Sequence, residues 1–262
     1  MSRTHESIVE DQFGSRAQAY VHSAVHSEGE DLDSLEAVAE FLKPDHAVDF
    51  GSGGGHVTYR LAAHSRLVTA VDLSKSMVEA VSTTAQQRGL RNIETCVASV
   101  EHAPFEEASV DMLGSRFSAH HWLDLDAGLR EARRILKPGA TAVFIDVVSP
   151  GYAVFDTHLQ ALELLRDPSH VRDYTEAEWT ASLLRAGFRL KSTRMRRLRM
   201  HYQTWVDRMQ TSDIHQAAIR SLQQSASAET SKYYAIEPDG SFTLDTLQIE
   251  ATACRARISE VS

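Results

Sequence analysis

The stretch Asp49-Phe50-Gly51-Ser52-Gly53-Gly54-Gly55 decides how this chain reads, because a glycine-rich turn has meaning only where a strand runs in and a helix runs out. Ala47–Phe50 is a short apolar run of strand type, and a stretch of helical period begins near Gly55. Glycines at 51, 53 and 55 let the backbone turn sharply and approach a ligand where a side chain would collide. The helix N-terminus that follows offers free N–H groups to a polar or carboxylate group. Seventeen residues past Gly55, at the end of the second strand, Asp72 is placed to accept hydrogen bonds from both hydroxyls of a ribose. The expected ligand therefore contains adenosine.

The spacing narrows which one. A dinucleotide fingerprint starting at Gly51 needs glycine at position 56, where His56 stands, so a nicotinamide-dependent oxidoreductase is the weaker reading. No Gly-Lys-Ser/Thr ending of a P-loop is present. Asp49, an acid just before the turn, suits a ligand with a cationic amino-acid group rather than a pyrophosphate. S-adenosylmethionine carries such a group.

Outward from the loop, β-branched runs alternate with helical stretches from residue 35 to about 190, the pattern of a doubly wound α/β parallel sheet. Strands are expected at Ala47–Phe50, Leu67–Asp72, Asn92–Ser99, Val110–Arg116 and Thr141–Val148, with helices starting near Gly55, Ser74 and Asp124. Asp126–Lys137 reads as an amphipathic helix stopped by Pro138 and Gly139. Beyond Ser149-Pro150-Gly151 come a helix at Phe155–Arg166 and another opened by a Thr175/Glu178 capping box and closed by Gly187. A basic strand, Arg189–His201, a helical insertion at about 204–227 and a last strand, Phe242–Arg255, complete the chain. The expected division is an N-terminal helical cap, or lid, over residues 1–34 and one domain over 35–262.

With 262 residues, 42% hydrophobic and 24% charged, the composition is that of an ordinary globular chain. Its 27 Lys+Arg against 36 Asp+Glu give a net charge of -9, which repels nucleic acid and anionic membrane surfaces. Cys96 and Cys254 sit in apolar, β-branched surroundings and read as reduced, buried thiols. The N-terminal sequence has no apolar signal region and no run of about 18 apolar residues occurs, so a cytoplasmic protein without a membrane span is expected.

The chain resembles the class I S-adenosylmethionine-dependent methyltransferases, and among them the UbiE-like branch of small-molecule enzymes. The residues that carry the resemblance are Asp49-x-Gly51-x-Gly53-x-Gly55, Asp72, Ser99-Val100-Glu101, Arg116–Trp122, Gln12–Arg16 with Tyr20, and Gln224–Ser227. It implies a Rossmann-like, mostly parallel seven-stranded sheet with an antiparallel last strand. It further implies that Asp49, Gly51, Gly53 and Gly55 surround the methionine end, with Asp72 on the ribose, Leu73 and Met77 beside the adenine, and Arg116 in the cofactor site. Ala98–Glu101 would meet the adenine edge, although Ser99-Val100 stands where Asp-Ala is common. A hydroxyl bonds an amino group more weakly than a carboxylate does.

His120 and His121 follow strand four, at the carboxyl edge where open α/β sheets place ligands. Either reads as a general base, with His121 preferred beside Trp122, or as a residue that locks its loop. Phe13, Tyr20, Phe117 and Trp122 read as substrate-lining lid residues or as plain packing. His22 and His26, four apart, read as a solvated helix face, and no metal is expected. The arginines of 189–199 read as an exposed edge strand rather than a site for phosphate. The expected activity is methyl transfer to a small, apolar or aromatic acceptor, yielding S-adenosylhomocysteine. A non-catalytic adenosyl-ligand binder would share the same donor site without turning over. A transfer-RNA methyltransferase is disfavoured by the acidic charge and by the lack of an Asn-Pro-Pro-Tyr motif after strand four.

Overall fold

The computed structural model describes residues 3–13 and 29–255, so Tyr20, His22 and His26 lie outside the described residues. Elements follow in the order α1 (His5–Phe13), α2 (Glu30–Leu42), β1 (His46–Phe50), α3 (His56–Ala62), β2 (Leu67–Asp72), α4 (Lys75–Gln87), β3 (Ile93–Val97), β4 (Val110–Arg116) and α5 (Leu125–Ile135). Then come β5 (Leu136–Val148), α6 (Ala153–Arg166), α7 (Glu176–Ala186), β6 (Phe188–Met200), α8 (Tyr202–Arg208), α9 (Asp213–Gln224), α10 (Ala228–Tyr233) and β7 (Phe242–Ala253). The seven strands form one sheet in the order β3-β2-β1-β4-β5-β7-β6. β1 to β5 pair in parallel, and β7 runs antiparallel between β5 and β6. This is the Rossmann-like, mostly parallel seven-stranded sheet with an antiparallel last strand that the alternation and the resemblance lead one to expect.

Alternate residues of the central strands feed opposite faces, which is why these strands read as continuous apolar runs. Val48, Phe50, Leu113 and Phe144 join one core with Leu129, Ile135, Trp179 and Leu183 of α5 and α7. Ala47, Met112, Val143 and Ile145 join the other with Leu32, Leu35, Val57 and Leu61 of α2 and α3. A third core, built around Trp205, Ile219, Tyr234 and Phe242, packs α6, α8 and α9 beside the start of β7. Because β1 connects to β2 on one side and pairs with β4 on the other, the chain reverses direction across the sheet between β1 and β4. That reversal opens a crevice at the carboxyl ends of the strands.

Local signals hold where they act within one turn. Ser74 and Asp124 cap α4 and α5 with their side chains, the Thr175/Glu178 box is formed, and Gly187 ends α7 at φ +92°. Other boundaries differ from expectation. The helix expected to reach Lys137 ends at Ile135, because Leu136 already pairs with Val110 of β4 and starts β5 before Thr141. The third strand is shorter than Asn92–Ser99 because Ser99 instead caps a 3₁₀ turn over Val100–His102. The insertion holds three helices and runs past Ser227 to Tyr233. Cys254 is exposed rather than buried, since β7 stops at Ala253, and Cys96 is only half-buried; both thiols are free. Among the described residues no helix is long and apolar enough to cross a membrane.

α5 has glycine at 128 because Trp122 lies against it, and a Cβ there would stand 2.5 Å from the indole Cε3. Trp122 is buried against Phe50 and donates its Nε1–H to Ser118 Oγ at 3.0 Å, so it has little room to retreat. Overpacking costs about 1–3 kcal/mol, whereas alanine gains about 1 kcal/mol of helix propensity over glycine. Gly128→Ala should therefore lower the thermal midpoint in a calorimetric melt. A raised midpoint would show that Trp122 yields and does not brace the loop before it.

Candidate functional site

The glycine loop is pinned by backbone bonds that aim its N–H groups. Gly51 N–H and Ser52 N–H both donate to Val71 O at 2.9 Å, and Gly53 N–H donates to Asp72 Oδ2 at 2.8 Å. Gly51 has φ +67°, and a Cβ there would run into the Ser118 side chain, so glycine is required by the neighbouring loop. Gly53 has φ +48° and a Cβ there would meet no protein atom, so its face opens on the crevice. Gly55, at φ +82°, backs onto the Tyr59 ring.

Asp49, 1% exposed, accepts a hydrogen bond from Thr58 Oγ1 at 2.6 Å through Oδ2, while Oδ1 has no partner among the described residues. Burial pushes this carboxyl up to about 7, with the Asp72 charge adding and the Thr58 bond opposing. A buried acceptor without a donor is costly, and a cationic N–H group entering the crevice relieves it. Asp72 is held by the N–H groups of Gly53 and, at 2.9 Å, Ser74; burial still raises it. Leu73 and Ser99 line the same space with Met77, which is buried under Phe13 of α1. The Ser99 hydroxyl is turned to Glu101, whose N–H it also accepts at 3.2 Å. Val100, buried in the core, forms part of the wall. Arg116 lines the crevice with its guanidinium clamped on Asp31, Nε to Oδ2 at 2.6 Å, and stacked 4.4 Å from the Phe117 ring.

The loop after β4 forms the opposite wall. Phe117 takes a left-handed φ of +51°, rare for a bulky residue, and Ala119–His121 wind a 3₁₀ turn whose first two N–H groups donate to Asp146 Oδ2. His120 Nδ1 meets Asp146 Oδ1 at 2.6 Å. Burial works to lower His120, but the Asp146 carboxylate wins and raises it to about 9, so the ring is charged. His121 goes the other way: burial and the His120 charge 4.2 Å away, ring to ring, push it down to about 4. His121 Nδ1 lies 3.1 Å from Ser169 O, a carbonyl that can only accept, so the proton sits on Nδ1 and Nε2 is a bare acceptor. Phe13 meets the His121 ring edge-on at 5.1 Å, and His5 Nε2–H donates to His121 O at 2.9 Å, so α1 lies across this wall.

These pieces share one cavity of about 420 Å³, within the usual range for small-ligand sites. It brings together every described residue expected in the site except Gly55. Trp122 reaches it from the core rather than from a lid. Sequence reading missed Asp146, whose only signal is a lone acid in the apolar run Thr141–Val148, and also Asp167, Ser169 and Asp173. These last sit in the polar stretch Asp167-Pro168-Ser169-His170-Val171-Arg172-Asp173 between two helices, dense in hydrogen-bonding side chains.

The two glycines should respond differently. A left-handed alanine costs about 1–2 kcal/mol, and at Gly51 the clash with Ser118 adds about 1–3 kcal/mol. Melts should show Gly53→Ala folded within a few degrees of the parent and Gly51→Ala lower still. Calorimetry should show Gly53→Ala losing affinity for S-adenosylhomocysteine. Full affinity in Gly53→Ala would remove the loop from the binding face.

A methyltransferase-domain model matches residues 48–144, the span from β1 into β5 that carries the glycine loop and the His120-His121 turn. The chain is 42% identical over 197 residues to the uncharacterized protein YafE of Escherichia coli (strain K12), covering 75% of this chain and 95% of that one. It is 32% identical over 199 residues to the uncharacterized methyltransferase YcgJ of Bacillus subtilis (strain 168), covering 76% and 79% respectively. The crystal structure of YcgJ superposes with a TM-score of 0.82 at 28% identity, over 86% of this chain and 99% of that one. A shorter match, 36% identical over 107 residues and 41% of each chain, joins it to the ubiquinone/menaquinone biosynthesis C-methyltransferase UbiE of Rubrivivax gelatinosus. With this fold, this matched domain and relatives aligned over most of their length, the chain belongs to the S-adenosylmethionine-dependent methyltransferases.

Proposed function

We propose that this methyltransferase acts on a small molecule taken into the same cavity as the methyl donor. The observation that carries the reading is the continuity of that cavity: the Asp49–Gly53–Asp72 wall and the His121 wall line one space of about 420 Å³. S-adenosylmethionine, when bound, supplies a methyl group on a cationic sulfur that is open to in-line displacement. Asp49 Oδ1 takes the donor's ammonium, the open face at Gly53 admits its amino-acid end, and Asp72 faces its ribose. Phe13 and Met77 exclude water from the adenine side. Transfer would form the acceptor–methyl bond as the sulfur–methyl bond breaks, with S-adenosylhomocysteine released and the acceptor's proton given up, in the end, to water.

His121, pushed to about 4, is neutral at pH 7 but too weakly basic to supply much proton-transfer driving force. Its role in this reading is to accept a hydrogen bond and fix the nucleophile, so that proximity supplies most of the rate. His120 holds the turn through Asp146. The UbiE relative, by its name a C-methyltransferase of ubiquinone and menaquinone biosynthesis, supports a small-molecule acceptor. Nucleic acid fits poorly. Much of the positive charge on β6 is matched locally: Arg197 to Asp245 at 2.9 Å, Arg199 to Glu237 at 2.6 Å and Lys191 to Glu250 at 2.6 Å.

The raised Asp49 gives the donor site a pH signature. Only the ionised carboxylate pairs with an ammonium, so affinity rises as pH passes 7. With the pKa at about 7, S-adenosylhomocysteine should bind about tenfold more weakly at pH 6 than at pH 8. For the free protein the sign is opposite. A carboxyl raised on folding contributes stability below its unfolded range, and loses it as pH climbs through 7. Calorimetric titrations at the two pH values, repeated on Asp49→Asn, check this. A flat profile in the parent would place the ammonium elsewhere.

A further inference from the structure

The acceptor half of the cavity holds two buried carboxyl oxygens with no hydrogen-bond partner among the described residues. Asp167 and Asp173 are each 1% exposed, and both line the cavity. Asp167 Oδ1 takes the Ser169 N–H at 2.8 Å and the Ser169 hydroxyl at 2.6 Å, but Asp167 Oδ2 has no hydrogen-bond partner among the described residues, and neither has Asp173 Oδ2. Within ion-pair range and among the described residues, Asp167 Oδ2 meets only His121 Nε2, at 3.9 Å, and Asp173 Oδ2 only His170 Nε2, also at 3.9 Å. Neither imidazole is a cation: burial and the His120 charge hold His121 at about 4 and His170 at about 2. Arg166 pairs with Glu163 at 3.2 Å and His120 with Asp146 at 2.6 Å, although both charges also act on Asp173, and Arg208 lines the same cavity.

Asp167 Oδ2 and His121 Nε2 are thus two acceptors 3.9 Å apart, with the imidazole proton on the far nitrogen. That gap is too long for a direct bond and is spanned by a group that donates two hydrogens; with no hydrogen-bond donor on Asp167 Oδ2 among the described residues, a charged donor suits this buried carboxyl better than water. A hydroxyl has one hydrogen and a carboxylate none. The apolar remainder of this half, with Val147, Met200, Trp205 and Leu244, suits a hydrocarbon or aromatic body. We propose that the acceptor is an apolar-bodied amine whose ammonium seats between Asp167 Oδ2 and His121 Nε2, beside the Asp173 carboxyl, and passes one proton to Asp167 or water so that the freed nitrogen lone pair takes the methyl as the sulfur–methyl bond breaks. Burial holds the Asp173 carboxyl well above the usual carboxylate range, and the incoming cation favours its ionisation. Among the described residues no group of three or more His, Cys, Asp or Glu is arranged to hold a metal ion, so an ammonium fits the cluster better than a metal does. The inference rests on the methyl-transfer reading above and assigns its acceptor class.

The test uses the full chain saturated with S-adenosylhomocysteine and three probes of like size: phenethylamine, 2-phenylethanol and phenylacetate, titrated by ligand-observed NMR. Phenethylamine should bind at least tenfold more tightly than either of the others. Asp167→Asn should cut that preference about tenfold while leaving affinity for S-adenosylhomocysteine unchanged. Should Asp167→Asn fold poorly, Asp173→Asn should reduce the same preference, and the parent comparison stands by itself. Equal binding of the three probes, preference for the alcohol or carboxylate, no amine binding, or a preference that survives both substitutions overturns the ammonium seat. Failure of the parent to bind S-adenosylhomocysteine would instead overturn the donor-site reading on which it rests.

Discussion

The half-satisfied carboxylate of Asp49 is the constraint on which the rest of the site depends. One oxygen is bound by Thr58, and the other is buried without a donor among the described residues. An unpaired buried acceptor is worth roughly 1–3 kcal/mol of instability, a substantial part of the net stability of a folded chain. It persists because β1 is locked in the sheet between β2 and β4 and cannot turn its last residues toward solvent. The glycine turn that follows, braced on Val71, leaves an opening where the missing donor can enter. The strain of the free protein and the affinity for a cationic ligand are one quantity seen from two sides.

The opposite wall is fixed by a chain of contacts that runs through the core. Gly51 makes room for Ser118, Ser118 receives Trp122 Nε1, and Trp122 packs on Phe50 and Gly128. The position of the 3₁₀ turn is therefore set jointly by β1, β4 and α5. Asp146 then anchors the turn from β5 and charges His120, whose charge holds its neighbour His121 neutral. Adjacent histidines in one turn thus carry opposite states because only one touches a carboxylate at hydrogen-bond distance. Two elements of the acceptor half, α6 and α8, belong to the third core, so the region that differs most from a bare doubly wound sheet faces the acceptor.

What is legible in the sequence is what depends on neighbours in the chain. The glycine turn between strand and helix, Asp72 at the end of β2, the Thr175/Glu178 box and the Gly187 stop are all local signals, and each stands in the fold where its spacing puts it. Contacts between distant segments are not legible. Asp146 reads as an oddity in an apolar strand until the turn at 119–121 folds over it, 27 residues back along the chain. Asp167 and Ser169 carry no spacing motif, and only the fold brings Ser169, 48 residues on in sequence, within hydrogen-bond reach of the His121 ring, with Asp167 3.9 Å from its other nitrogen. Ser99 does stand on the cavity wall, but its hydroxyl is drawn to Glu101, two residues on, a local bond that competes with any ligand.

The central claim, that Asp49 receives the ammonium of the donor's amino-acid end, is tested most directly by comparing two ligands that differ in that end. Calorimetry of S-adenosylhomocysteine and of 5′-methylthioadenosine, which shares the nucleoside and thioether but lacks the amino acid, should show the former bound at least tenfold more tightly at pH 8. In Asp49→Asn that advantage should shrink while the affinity for 5′-methylthioadenosine holds. Equal affinities in the parent, or an advantage untouched by Asp49→Asn, would contradict the account.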